Sequence, residues 1–128
     1  MTFKTLRCEL ADGIATITFD EPGSPVNTMC LQWQDDMAAL TQQVVKDKGA
    51  LKGLILASAK TTFFAGADLK GVMRMTAGDA ARVYAEIERI KLCFRTLETL
   101  GIPVVICING SALGGGMEVA LIGHHRIA

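Results

Sequence analysis

The sequence predicts an α/β layered domain in which helical crossovers bring short strands parallel. Short β-prone runs alternate with longer segments whose apolar residues recur every three or four positions. The first two runs are separated only by Asp12-Gly13, a two-residue hairpin signal. A later apolar run ends in NGSALGGG and feeds a helical pattern, giving strand, glycine turn and helix in sequence.

In chain order, residues 3–10 and 14–19 form the opening hairpin. DEPGSPVN at 20–27 holds two prolines and a glycine and makes a loop. A helix begins near Met29, with Trp33, Met37, Leu40 and Val44 on one face, and ends near Gly49. Residues 54–57 are a short apolar run between Gly53 and Ser58, expected as a strand buried on both faces. The small-residue loop FFAGADLK at 63–70 follows, where Asp68 suits the cap of a short helix. A second long helix fits residues 79–99 through Val83, Ile87, Ile90, Phe94 and Leu97, and Gly101 and Pro103 stop it. Residues 104–108 are the next buried strand, a helix starts at about Gly115, and HHRIA begins one more strand. The chain ends inside that element, which reads as truncation.

Length and composition narrow the function. The 128 residues make one globular unit or part of one, and no second domain is expected. Thirteen basic side chains balance thirteen acidic ones, which argues against a nucleic-acid or polybasic membrane surface. No apolar run is long enough to span a bilayer and the N-terminus lacks signal-peptide character, so a soluble, cytoplasmic protein is expected. Cys8, Cys30, Cys93 and Cys107 lack metal or redox spacing and read as reduced, mostly buried thiols.

The glycine turn is the chemical signal. A strand ending in glycines and entering a helix brings free backbone N–H groups and the positive helix end to one point, which suits an anion or a developing negative charge. Counting from Gly110 gives Gly-Ser-Ala-Leu-Gly-Gly, so the dinucleotide pattern GxGxxG fails. Met117 and Glu118 stand where a phosphate-binding P-loop needs Lys and Ser/Thr. An oxyanion hole fits better, because Glu118 follows Gly115 by about one helical turn and places a carboxylate beside the amide donor. Such a pair adds or removes a proton next to a carbonyl. A carboxylate in the first helical turn can equally serve only the helix N–H groups and dipole, and both roles are open to Glu118 at this level.

FFAGADLK at 63–70, IPVVICINGSALGGGMEVAL at 102–121 and the HHRIA terminus together resemble the crotonase superfamily of acyl-CoA enzymes. ITFDEPGSPVNTM at 17–29 is most similar to the hydratase portion of multifunctional fatty-acid oxidation α-subunits. The resemblance implies a crotonase-like (ClpP/crotonase) β/α spiral core, of which residues 1–128 are the N-terminal portion. It implies that the amides of Ala67 and Gly115 form the oxyanion hole, and that Glu118 activates water for attack on a 2-enoyl-CoA. Val26, Ala65, Asp68, Leu69, Leu113 and Gly114 would line the groove for pantetheine and acyl chain. The family's second catalytic glutamate falls beyond Ala128, so the isolated chain is expected to be inactive.

Coenzyme A enters as part of the substrate; no cofactor is expected in this chain, and NAD chemistry would need a dehydrogenase domain elsewhere. The resemblance further implies a homo-oligomer of trimer type, or a complex containing thiolase. The alternatives are an enoyl-CoA isomerase, another crotonase-type acyl-CoA enzyme, or a non-catalytic acyl-CoA-binding or assembly module. No metal is expected: His124 and His125 are adjacent on a strand and point to opposite faces, and there is no third histidine.

Overall fold

A computed structural model describes residues 2–128. Strands β1 (Leu6–Ala11) and β2 (Ile14–Phe19) pair antiparallel. Asp12 and Gly13 turn between them at φ 52° and 84°, the positive pair that a tight two-residue hairpin requires. Helix α1 (Leu31–Asp47), strand β3 (Gly53–Ser58), helices α2 (Leu69–Met73) and α3 (Ala80–Glu98), strand β4 (Val104–Cys107), helix α4 (Gly115–Leu121) and strand β5 (His125–Ile127) complete the chain. The sheet runs β1-β2-β3-β4-β5, and β2 to β5 are parallel.

Parallel strands added in sequence order through crossovers of one hand place their helices on the same side of a sheet. The registers agree: Ala15, Leu54 and Val104 form one inward row and Ile17, Leu56 and Ile106 the next, all buried. The opposite face carries Ile55, Ala57, Val105 and Cys107, all half-buried. Strand β3 is therefore covered on one face among the described residues, and not on both as its apolar run suggests. An unbroken apolar run does not reveal which of its two faces is left bare.

On the covered face α1 buries Trp33, Met37, Leu40 and Val44, the stripe its spacing predicts. Helix α3 packs beside it, with the Trp33 and Phe94 rings 6.3 Å apart and Arg89 paired with Asp35 at 2.8 Å. Phe19 sits at the centre of an aromatic cluster, its ring 6.2 Å from Trp33, 6.2 Å from Phe63 and 5.5 Å from Phe64, mostly edge to face.

The first strand starts later than its β-prone residues suggest. Lys4 and Thr5 donate their amides to the Asp36 carboxylate at 2.9 and 2.7 Å, and the Thr5 hydroxyl adds a third bond at 2.7 Å. Residues 4–5 are thus tied to α1 and stay outside the ladder. Burial alone would raise the Asp36 pKa, but these donors and the Gln32 amide outweigh it and hold the carboxyl below its usual range.

Candidate active site

The loops that follow β2, β3 and β4 meet at the carboxyl ends of the strands, where open α/β sheets place their ligand crevices. Phe63 and Phe64 anchor the middle loop by burying both rings completely. Their amides donate to Ser111 O at 3.0 and 3.1 Å, and Leu113 N donates back to Phe64 O at 3.0 Å. A Cβ on Gly66 would meet Leu113 O at 2.6 Å and Gly115 N at 3.2 Å, so residues 65–67 lie directly against the start of α4.

Two peptide planes in this contact have fixed directions. Gly66 O accepts the Met29 amide at 2.8 Å. In a trans peptide the next N–H points the opposite way, so the Ala67 amide faces away from residue 29. Gly114 O accepts Met117 N at 2.9 Å and Glu118 N at 3.3 Å, which turns the Gly115 amide out of the helix. Among the described residues neither the Ala67 nor the Gly115 amide has a protein acceptor. Gly114 takes φ 50° and ψ −116° to make the turn, a backbone conformation that a side chain would strain.

Glu118 is exposed and lies on the same side: a carbon on Gly115 would stand 3.6 Å from its Oε2. Glu118 stands in the first turn of α4, a position that suits the helix dipole as well as a base, so both roles read from the sequence fit it.

Ala67, Asp68 and Glu118 border a cavity of about 820 Å³ between α1, α2, α3 and α4. That volume suits a small-molecule site. Its wall is apolar along Met29, Val83, Ile87, Ile90 and Phe94, with Arg74, Arg82 and Lys91 also bordering it. Asp79 and Glu86 hold the Arg82 guanidinium at 3.3 and 2.8 Å. The cysteines are not mostly buried as expected: only Cys93 is, with Cys8 exposed and Cys30 and Cys107 half-buried. Cys30 borders the cavity too, and burial pushes its thiol pKa up, so it is no thiolate nucleophile at neutral pH.

Of the other residues expected in the groove, Ala65 lies in the stitched loop, its amide bound to Asn27 O at 2.8 Å. Val26 stands in the β2–α1 loop, where its amide and carbonyl both bond to the Ser24 hydroxyl. Leu69 opens α2, and Leu113 and Gly114 precede α4; none of these five lines the 820 Å³ cavity. Among the described residues no cluster of three His, Cys, Asp or Glu is placed to hold a metal ion, and no helix is long and apolar enough to cross a membrane.

The α3 residues are not legible in the sequence as cavity wall, because a stripe at helical spacing looks the same whether it faces a core or a pocket. Nor is Asn27, since nothing in a single sequence marks a loop asparagine as buried.

Residues 9–128 match the enoyl-CoA hydratase/isomerase family. The chain belongs to this family. It is 39% identical over 128 residues to the fatty acid oxidation complex subunit alpha of Shewanella oneidensis, covering 98% of this chain and 17% of that subunit. A second such subunit, from Shewanella baltica, is 40% identical over 118 residues, or 91% of this chain and 16% of the subunit.

Among solved structures, the enoyl-CoA hydratase of Bacillus anthracis aligns with TM-score 0.84 at 28% identity, over 97% of this chain and 47% of that one. Pseudomonas aeruginosa DspI aligns with TM-score 0.82 at 27% identity, over 97% and 45%. The fold is therefore crotonase-like. The chain spans about a sixth of the curated relatives it matches and under half of these two solved chains.

Proposed function

We propose that this chain carries the thioester-gripping and water-activating part of an enoyl-CoA hydratase acting in fatty-acid β-oxidation. The observation that supports this reading most is the pair of outward, acceptor-free amides, Ala67 and Gly115, brought to one place by the contact of Gly66 with Gly115, with the Glu118 carboxylate alongside. The thioester C=O of a 2-enoyl-CoA accepts from both amides. Glu118 takes a proton from water as the water oxygen bonds to the β-carbon. The displaced π electrons move through the α-carbon to the thioester oxygen, making an enolate, and protonation at the α-carbon gives the 3-hydroxyacyl thioester.

Charge grows on the thioester oxygen only as this proceeds, so fixed amides stabilise the transition state more than the ground state. One such donor is worth about 3 kcal/mol. The family resemblance implies a second glutamate as the acid that delivers the α-carbon proton. Double-bond migration in an enoyl-CoA is the second reading, since the family description covers isomerases and the same amides would hold the same enolate. The whole protein is further proposed to be cytoplasmic and to work as an oligomer or within a thiolase-containing complex, by its likeness to fatty acid oxidation α-subunits.

Glu118→Gln in the native full-length protein tests the assignment. Hydration should fall by at least about 100-fold while the Kd for a saturated acyl-CoA stays within about twofold. Unchanged turnover would remove Glu118 from the mechanism.

A further inference from the structure

Asn27 is 1% exposed, yet it lies in the loop after β2 that carries two prolines and a glycine. All of its side-chain amide capacity for donation is engaged, with Nδ2 donating to Ser58 Oγ at 2.9 Å and to Phe63 O at 3.1 Å. Its Oδ1 accepts the Glu21 amide at 3.0 Å. A backbone donor on one side and a carbonyl on the other leave the side chain a single orientation. Its backbone O accepts the Ala65 amide at 2.8 Å, and two residues on the Met29 amide reaches Gly66 O at 2.8 Å. Residues 63–66 are thus stitched to residues 27–29 from both sides, and the next group along the chain is the Ala67 N–H.

We propose that Asn27 is a positioning residue that aims the Ala67 amide at the substrate oxygen. The inference rests on the reading of Ala67 and Gly115 as the paired thioester donors. Ser58 extends the hub by donating to Thr62 O at 2.7 Å, so the loop is held just before its buried phenylalanines as well. Gly115 opens α4, which the Asn27 side chain does not touch and which reaches the loop only through the bonds of residues 63–64 to Ser111 and Leu113. Damage at Asn27 therefore reaches the Ala67 donor directly and the Gly115 donor at one remove.

Asn27→Asp keeps the shape but turns the Nδ2 position into an oxygen facing the Phe63 carbonyl, a buried repulsion that releases the loop. In the native full-length protein, amide ¹⁵N–¹H shifts of Ala67 and Gly115 are followed as hexanoyl-CoA is added, with hydration kinetics on a 2-enoyl-CoA alongside. In the wild type both amides shift on binding. In Asn27→Asp the Ala67 shift is lost and that of Gly115 persists, while kcat drops about 100-fold and the Kd for hexanoyl-CoA changes less than threefold. A merely structural role would move both amides and the affinity together.

An Ala67 shift and kcat that survive the substitution overturn the proposal. If Asn27→Asp does not fold, Ser58→Ala removes one of its acceptors and should lower kcat about fivefold with the same split; no change there also overturns it. A wild type whose two amides grip hexanoyl-CoA but which adds no water would break the hydratase reading, leaving Asn27 to be judged on the shifts alone.

Discussion

Gly114, Gly115 and Gly116 answer three separate demands. Gly114 supplies the positive φ, Gly115 leaves room for the Met29 thioether end 2.6 Å from where a Cβ would sit, and Gly116 admits the Phe64 carbonyl oxygen at 2.2 Å. A flexible methionine can move and a backbone carbonyl cannot. Gly116→Ala is therefore predicted to destabilise by about 1–3 kcal/mol in denaturant unfolding, and Gly115→Ala by less. The glycine run in the sequence signals bare backbone, but it suggests a ligand as the reason. The actual neighbour at Gly116 is another loop of the same chain, distant in sequence and hence invisible there.

Asp36 gives the residue scale its pH dependence. Its folded pKa lies below the unfolded value of about 3.9, so its contribution is fully present above about pH 4 and is lost as pH falls through the lower folded value. Asp36→Asn should lower stability at neutral pH and flatten the acid limb of a stability-against-pH curve. An unaltered acid limb would mean that another carboxylate governs it.

Helix α3 divides into two functional halves along one stripe. Leu97 is fully buried in the core, whereas Ile87 is 53% exposed and borders the cavity. Leu97→Ala should cost about 2–5 kcal/mol. Ile87→Ala should stay within about 0.5 kcal/mol by thermal unfolding and instead weaken binding of acyl-CoA in proportion to chain length. Much of the element order is legible in the sequence: the hairpin turn, the α1 stripe and the strand–glycine–helix unit all follow from local pattern. Less legible is what faces each stripe. Val83 and Ile87 have core spacing and a pocket position, and the buried Phe63-Phe64 pair reads as loop because its partners Phe19 and Trp33 come from other elements.

Across the whole molecule, apolar burial is one-sided. The sheet face opposite the helices is half-bare, and Leu69, Met73, Tyr84, Leu92 and Leu121 project from the helices, each more than half exposed. Where such side chains adjoin one another they drive association. The isolated 128-residue chain is predicted to form larger species as concentration rises in sedimentation velocity, and a sharp monomer at all concentrations would show these side chains to be harmlessly scattered.

The likeness to enoyl-CoA hydratase structures covers almost all of this chain and under half of theirs, so the chemistry is a property to seek in the native full-length protein. The most direct measurement is to incubate that protein with a trans-2-enoyl-CoA in ¹⁸O-labelled water and read the product by mass. A 3-hydroxyacyl-CoA carrying one labelled oxygen is the predicted result. Recovery of the thioester unchanged, with neither water added nor the double bond moved, would contradict the reading of Ala67, Gly115 and Glu118 as a working site.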